Sequence, residues 1–336
     1  MSEIRTCKKC GMILGTRPNL KEVDGVCSAC INHEKRKNVD FESRQKWLTQ
    51  YIKENKTNEK YDGLVAVSGG KDSTVIVRKL FENHGVKKLL LVNVTEEFTK
   101  TRTGKENLDN ILQKYNCDLI TWRLNPNELA ETMRKDFEEY CFPLKTLEEY
   151  IYQVPLDIAR MYNIKLVFYG ENAEYEYGGN EELEIFHPAS TDDLKIIFMG
   201  AIYPYEAHEW YKMAQEVGFK DLNYYNEWQR HGQIEMYSQI DSIGYNMGVY
   251  TKFVKFGFQR VSDMACRFVR AGLITKEQAH QYIKDYDWQI DPTSKRDFCR
   301  KAGITEEHFD EIIDRFANKE IMVKDLNGHW RRKDLL

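Results

Sequence analysis

The chain has 336 residues, with 49 Lys and Arg against 53 Asp and Glu, a net charge of −4, 42% hydrophobic residues and 8 Cys. That length carries about two domains and a full core, and the apolar content with only 7 Pro excludes a mostly disordered chain. The charge argues against a general nucleic-acid binder, no apolar run approaches a membrane span of about 20 residues, and the opening MSEIRTCKKCG has no apolar export signal, so a cytoplasmic protein with reduced thiols is expected.

Four of the eight cysteines fall in the first 30 residues: Cys7, Cys10, Cys27 and Cys30. They read C-x2-C, 16 residues, C-x2-C, the spacing of a four-thiolate zinc site. Gly11, Gly15 and Gly25 supply pliant backbone around the turns. A segment of about 40 residues buries too little apolar surface to stand alone, so metal replaces a core. A closed site of four thiolates leaves no open position, which makes the zinc structural. Cys117, Cys141, Cys266 and Cys299 are isolated and read as small buried hydrophobes.

Residues 41–60 are charged, with Trp47, Leu48, Tyr51 and Ile52 at helical spacing, and predict a linker helix. From 61 the pattern changes. DGLVAV is a strand, STVIVRKLFENHG a helix closed by Gly85, and KKLLLVNV (87–94) a second strand. A helix (103–117), a strand (118–124), a helix (128–140), a helix holding Pro155 (147–163) and a strand (164–170) follow. Strands alternating with helices predict an α/β fold, a parallel sheet with helices on both faces. The ligand of such a sheet sits at the carboxyl ends of its strands. The C-terminal third reads as helical, with Thr275 and Thr305 as N-caps and Gln278 completing a capping box. The expected division is 1–40 ribbon, 41–60 linker helix, 61–200 nucleotide domain and 201–336 a mainly helical substrate or partner region.

The central signal is Ser68-Gly69-Gly70-Lys71-Asp72-Ser73, directly after the first strand. Two glycines let backbone N–H groups face a phosphate, and the next helix offers its positive end to the same anion. Ser68 and Ser73 add hydroxyls, Lys71 a charge, and Asp72 a carboxylate for Mg2+. The pattern is not that of Walker proteins. It resembles the PP-loop, SGG-x-DS, of the adenine nucleotide alpha-hydrolase-like superfamily, which grips the pyrophosphate of ATP. In that superfamily adenine sits at the end of the second strand, here Val92, Asn93 and Val94 before Thr95 and Glu96. The later strand ends at Gly170 and Glu171, facing the nucleotide, with Glu171 able to share Mg2+ with Asp72.

From ribbon to tail, the chain resembles the N-acetyl sugar amidotransferases of lipopolysaccharide O-antigen and flagellin-glycan pathways, including those for pseudaminic and legionaminic acids. The residues that carry the resemblance are the cysteine spacing, VSGGKDS, GENAEYEYGG (170–179) and TKFVKFGFQRVSDMACRFVRAGLITKEQA (251–279). Of 20 Tyr, 15 lie between 140 and 250. Among them, Tyr175 and Tyr177 flank Glu176 as a platform for a sugar or a second base, although most of the tyrosines suit a helical core or an interface. Lys252, Lys255, Arg260, Arg267 and Arg270 against Asp263 form a basic stretch suited to the phosphates of a nucleotide-sugar, or a solvated helix face.

The resemblance implies an ATP-dependent ligase. ATP adenylates the oxygen of an acetamido group, ammonia displaces AMP, and the group becomes acetamidino. It also implies an acetamido nucleotide-sugar substrate and a separate class I glutaminase that supplies ammonia. This chain has neither the glycine-rich nucleophile turn around a Cys nor the His-x-Glu of such a glutaminase. No nucleic-acid or membrane partner is expected, and a homo-oligomer is compatible with the sequence. Two alternatives remain: a tRNA-thiolating PP-loop enzyme, and a zinc-ribbon scaffold that senses nucleotide without turning it over.

Overall fold

The computed structural model describes residues 4–170 and 172–336. The N-terminal segment holds a small hairpin, β1 (Glu22–Val23) and β2 (Val26–Cys27), then α1 (Ser28–Arg36). The predicted linker helix is α2 (Phe41–Asn55), capped by the Asp40 carboxylate on the Ser43 amide.

The chain then builds a five-stranded sheet: β3 (Gly63–Ala66), α3 (Lys71–His84), β4 (Leu89–Thr95), α4 (Arg102–Lys114) and β5 (Cys117–Arg123). Next come α5 (Pro126–Tyr140), α6 (Lys145–Met161), β6 (Leu166–Tyr169), the short α7 (Ala173–Glu176) and β7 (Lys195–Phe198). The strand order is β5-β4-β3-β6-β7 and every pairing is parallel. Successive strands step one way from β3 to β5, and β6 then starts on the other side of β3. The switch point therefore lies between β3 and β6, where the carboxyl ends part to leave a crevice.

Strand alternation feeds two cores. Val65, Leu89, Leu91, Phe168 and Ile197 face one side, against Leu48 and Ile52 of α2 and Val75, Ile76 and Leu80 of α3. Leu64, Leu90, Val92, Val167 and Ile196 face the other, against Val154, Ile158 and Ala159 of α6. Both faces are covered by helices, as a parallel sheet requires. Pro155 does not divide α6, which runs unbroken through it.

The remainder comprises α8 (Ala207–Gln215), a long irregular stretch, α9 (Met247–Phe256), α10 (Arg260–Arg270), α11 (Lys276–Tyr286), α12 (Pro292–Ala302) and α13 (Glu306–Phe316). It closes on a hairpin, β8 (Met322–Lys324) and β9 (Trp330–Arg332), which the helical pattern did not announce. The Thr275–Gln278 capping box is present, and Thr305 caps α13. A third core joins the N-terminal cysteines, Met12 and Ile13 to Phe137, Phe253, Phe298 and Phe309. Among the described residues no helix is long and apolar enough to cross a membrane.

Candidate active site and metal centre

The four N-terminal cysteines are buried, and their sulfurs lie within 4.8 Å of one another. Cys7 and Cys30 are 3.9 Å apart and Cys10 and Cys27 are 3.8 Å apart. A tetrahedron of Zn–S bonds of about 2.3 Å has S···S edges of about 3.8 Å, so these donors fit a structural zinc. Gly11, Gly15 and Gly25 take φ of +85°, +79° and +78°, the left-handed turns that fold the knuckles. Cys266, on α10, donates its S–H to the Cys10 carbonyl at 3.3 Å. Sulfur hydrogen bonds, that of Cys266 foremost, hold the Cys10 thiol well below its ordinary range. Cys141 and Cys299 are buried and Cys117 is half-buried, all as free thiols.

This cysteine-rich segment reaches the crevice. The Asn32 amide donates to the carbonyls of Tyr175 and Asn180, and Ser28 Oγ donates to Gly178 O. Arg36 pairs with Glu176 and Glu206. Arg17 lies 4.3 Å over the Tyr177 ring and pairs with Asp263. Burial opposes ionisation of Asp263, but Arg17 outweighs it and holds the carboxyl below its usual range.

The loop 68–73 leaves β3 at its carboxyl end. Val67 N–H still bonds to Val92 O, and Asn93 Nδ2 donates to Val67 O at 2.8 Å, so the end of β4 props the loop. Gly69 has φ +84°, and a Cβ there would lie 2.7 Å from Gly104 O, so only glycine fits. Gly70 is the N-cap of α3 and provides no side-chain cap, which leaves the first amides for an anion. The hydroxyls of Ser73 and Thr74 donate back to Gly70 O at 3.0 and 3.1 Å, bracing the turn. Ser68 is exposed at its tip. Lys71 is 3% exposed, with Nζ 2.7 Å from both Asp72 oxygens and 3.2 Å from Tyr205 OH.

A cavity of about 390 Å³ opens above these strand ends. One side is apolar and aromatic: Val92, Val94, Leu147, Ile151, Pro155 and Tyr169. The floor is Ser68, Gly70, Lys71 and Asp72. The opposite wall carries Tyr177, Tyr205, Tyr237–Gln239, Arg260 and Arg267. Glu96, Lys100 and Asp241 stand at one edge. There burial pushes the Asp241 carboxyl up to about 6, against the pull of Lys100. Gln239 sits at φ +49°, strained backbone on the cavity wall.

Of the residues singled out in the sequence, Ser68, Gly70, Lys71, Asp72, Val94, Tyr177 and Arg260 line one cavity, with Gly69, Asn93 and Ser73 supporting the loop. Gly170 lies beneath, where a Cβ would meet Asp72 Cβ at 3.7 Å. Glu171 is outside the described residues. Three others stand elsewhere. Tyr175 is 2% exposed and spends its hydroxyl on Asn32 O, because its helix packs on α1. Glu176 faces Arg36. Lys255 points away, donating to Tyr140 O at 3.2 Å. Of the basic stretch, Arg260 and Arg267 reach the cavity because they lie seven apart on one face of α10, while Arg270 turns toward Cys10 and Cys30.

Sequence reasoning missed the stretch 230–241. It has no periodicity, and its shape comes from two buried charges. Arg230 donates to the carbonyls of Glu235, Ser238 and Gln239, and Glu235 Oε2 accepts from the amides of Tyr237 and Ser238 at 2.8 and 2.9 Å. Burial pulls the Arg230 guanidinium down to about 10. One carboxylate, Glu235, stands 3.5 Å from Arg260 and 3.9 Å from Arg230.

Residues 223–334 match the family model described as LPS biosynthesis protein WbpG-like, C-terminal domain. That segment supplies Tyr237–Gln239, Asp241, Arg260 and Arg267 of the cavity. The match points to lipopolysaccharide biosynthesis. The chain is 22% identical to the uncharacterized protein MJ1599 of Methanocaldococcus jannaschii over 82% of this chain and 93% of that protein. Among solved structures it is similar to the U34-tRNA thiolase NcsA of Methanococcus maripaludis with its 4Fe-4S cluster. That likeness is at 13% identity and TM-score 0.34, over 90% of this chain and 97% of that one.

Proposed function

We propose that the chain is an ATP-dependent amidotransferase that converts an acetamido group of a nucleotide-sugar into an acetamidino group. One observation carries the reading. Tyr237–Gln239, Arg260 and Arg267 of the wall facing the 68–73 loop belong to the segment that matches a lipopolysaccharide biosynthesis family. A site for a nucleotide triphosphate thus meets a surface akin to one that handles cell-surface sugars.

The adenine lies against Val92, Val94 and Ile151, and the phosphates lie on the loop amides and Lys71. Asp72, which lines the cavity, would hold Mg2+, and the ion would neutralise charge on the departing pyrophosphate. The nucleotide-sugar lies along Tyr177, with its anionic groups toward Arg260 and Arg267. The acetamido oxygen attacks the α-phosphorus and pyrophosphate leaves. Ammonia adds to the imidate carbon, and AMP departs with the original oxygen. Lys71 and the amides act on charge that grows in the transition state, and no side-chain nucleophile is required. A separate glutaminase supplies the ammonia in the cell.

The zinc-loaded chain is tested with ATP, ammonium and a panel of acetamido nucleotide-sugars, with AMP and product mass as readouts. Sugar-dependent AMP release with O replaced by NH supports the reading. AMP release on tRNA, with no change in any sugar, overturns it.

A further inference from the structure

Among the described residues three carboxylates line the reaction cavity: Asp72, Glu96 and Asp241. Two are taken. Asp72 pairs with Lys71 at 2.7 Å, and Glu96 pairs with Lys100. The Asp241 carboxylate makes no ion pair and no hydrogen bond to another described residue. Its backbone is fixed nonetheless. Asp241 O accepts from the Thr101 amide at 3.1 Å, and the Ile243 amide donates to Thr99 O at 3.0 Å. The Asp297 carboxylate accepts from the amides of Thr99 and Gly244 at 2.8 and 3.1 Å, holding both strips together. Gly104 sets the distance to the 68–73 loop. A Cβ on Gly104 would lie 2.5 Å from Asp241 Cα, and a Cβ on Gly69 would lie 2.7 Å from Gly104 O. One backbone residue therefore separates Asp241 from the turn at Gly69.

An unpaired carboxylate beside the loop suits one difficulty of the chemistry. An amide oxygen is a weak nucleophile, and adenylating it leaves the amide nitrogen positively charged unless the N–H proton is removed. A carboxylate that accepts from that N–H sends electron density to the oxygen, as an adjacent base does for any weak nucleophile. Burial raises the Asp241 carboxyl to about 6, with Lys100 opposing and Glu96 adding to the rise. That value suits a group that must take a proton and give it back near neutral pH. The other titratable neighbour on the cavity wall is Tyr245, which burial keeps protonated.

We propose that Asp241 is a catalytic residue that takes the acetamido N–H proton as the acetamido oxygen attacks ATP, and so selects substrates that carry an N–H. This rests on the amidotransferase reading. The oxygen bonds to the α-phosphorus and the bond to pyrophosphate breaks. The N–H electron pair becomes the C=N bond of a neutral imidate, and the proton passes to Asp241. Ammonia then adds to the carbon, the imidate nitrogen recovers the proton from Asp241, and AMP leaves with the oxygen. The surplus ammonia proton goes to water.

The test is sugar-dependent exchange of labelled pyrophosphate into ATP, without ammonia, in the zinc-loaded full chain. Asp241→Asn should lower the exchange rate about a hundredfold or more, with the KM for ATP and for sugar each within about threefold. The unaltered chain should lose exchange as pH falls through about 6, where Asp241 takes its proton, and the Asn variant should lack that limb. Asp241→Ala should regain part of its rate when formate is added. Exchange untouched in both variants, with only the amidation rate reduced, assigns Asp241 to the ammonia step and overturns the proposal while the amidotransferase reading stands. No exchange from the unaltered chain with any acetamido nucleotide-sugar overturns that reading and the proposal with it.

Discussion

Replacing Lys71 by Met removes the ammonium and keeps the apolar stem. Nζ is held 2.7 Å from both Asp72 oxygens and 3.2 Å from the Tyr205 hydroxyl, and the side chain is 3% exposed. A unit charge about 4 Å from a phosphate oxygen, at an effective dielectric of about 20, is worth about 4 kcal/mol. Most of that acts on charge developing on the leaving pyrophosphate, so kcat falls about a thousandfold. The Asp72 side chain is 40% exposed and hydrates when unpaired, so the fold loses only about 1 kcal/mol. The assay is sugar-dependent exchange of labelled pyrophosphate into ATP, with thermal unfolding as control. Exchange within about threefold of the unaltered chain, in a protein that melts normally, would refute the placement of the phosphates on this loop.

Further outcomes follow from the packing. Cys27→Ser, or removal of metal by a chelator, loosens the ribbon that carries Ser28, Asn32 and Arg17 to the 175–180 loop. The melting point falls by several degrees and the KM for sugar rises, both read alongside metal content. Gly104→Ala places a Cβ 2.5 Å from Asp241 Cα, and Gly104 O is what Gly69 packs against. ATP affinity, measured by calorimetry, should fall about tenfold or more while the far-ultraviolet spectrum is unchanged. His84 is buried between Thr49 and Tyr203, and burial lowers it from 6.5 to about 4. It stays neutral when folded and takes a proton when unfolded, so stability is lost as pH falls from 6.5 toward 4, by up to about 3 kcal/mol. His84→Gln should flatten the denaturation midpoint across that window, and an unchanged slope would assign the acid sensitivity elsewhere.

The parts of the chain that read themselves are local. The alternation in Leu64–Val67 and Leu89–Val92, the glycine pair after the first strand and the two C-x2-C knuckles each state their geometry within a few residues. Tyr175 looked like a platform because it adjoins the strand end; its burial depends on Asn32, 143 positions away. Cys266 read as a core residue and is one, but nothing nearby in sequence says that it touches Cys10. The wall at 230–241 was hidden for the same reason. Its order comes from Arg230 and Glu235 bonding to backbone, a pattern with no periodicity. The basic stretch was half legible: helical spacing puts Arg260 and Arg267 on one face, but which face meets the cavity is set by the packing of α10.

The central claim is that one cavity activates an acetamido oxygen with ATP and hands the carbon to ammonia. Mass spectrometry of the sugar product, after incubation with ATP, ammonium and acetamido nucleotide-sugars in water enriched in heavy oxygen, tests this most directly. The account predicts a product lighter by about one mass unit, with O replaced by NH, and unlabelled AMP that carries the acetamido oxygen. Heavy oxygen in the AMP, or a sugar of unchanged mass beside AMP release, would contradict it.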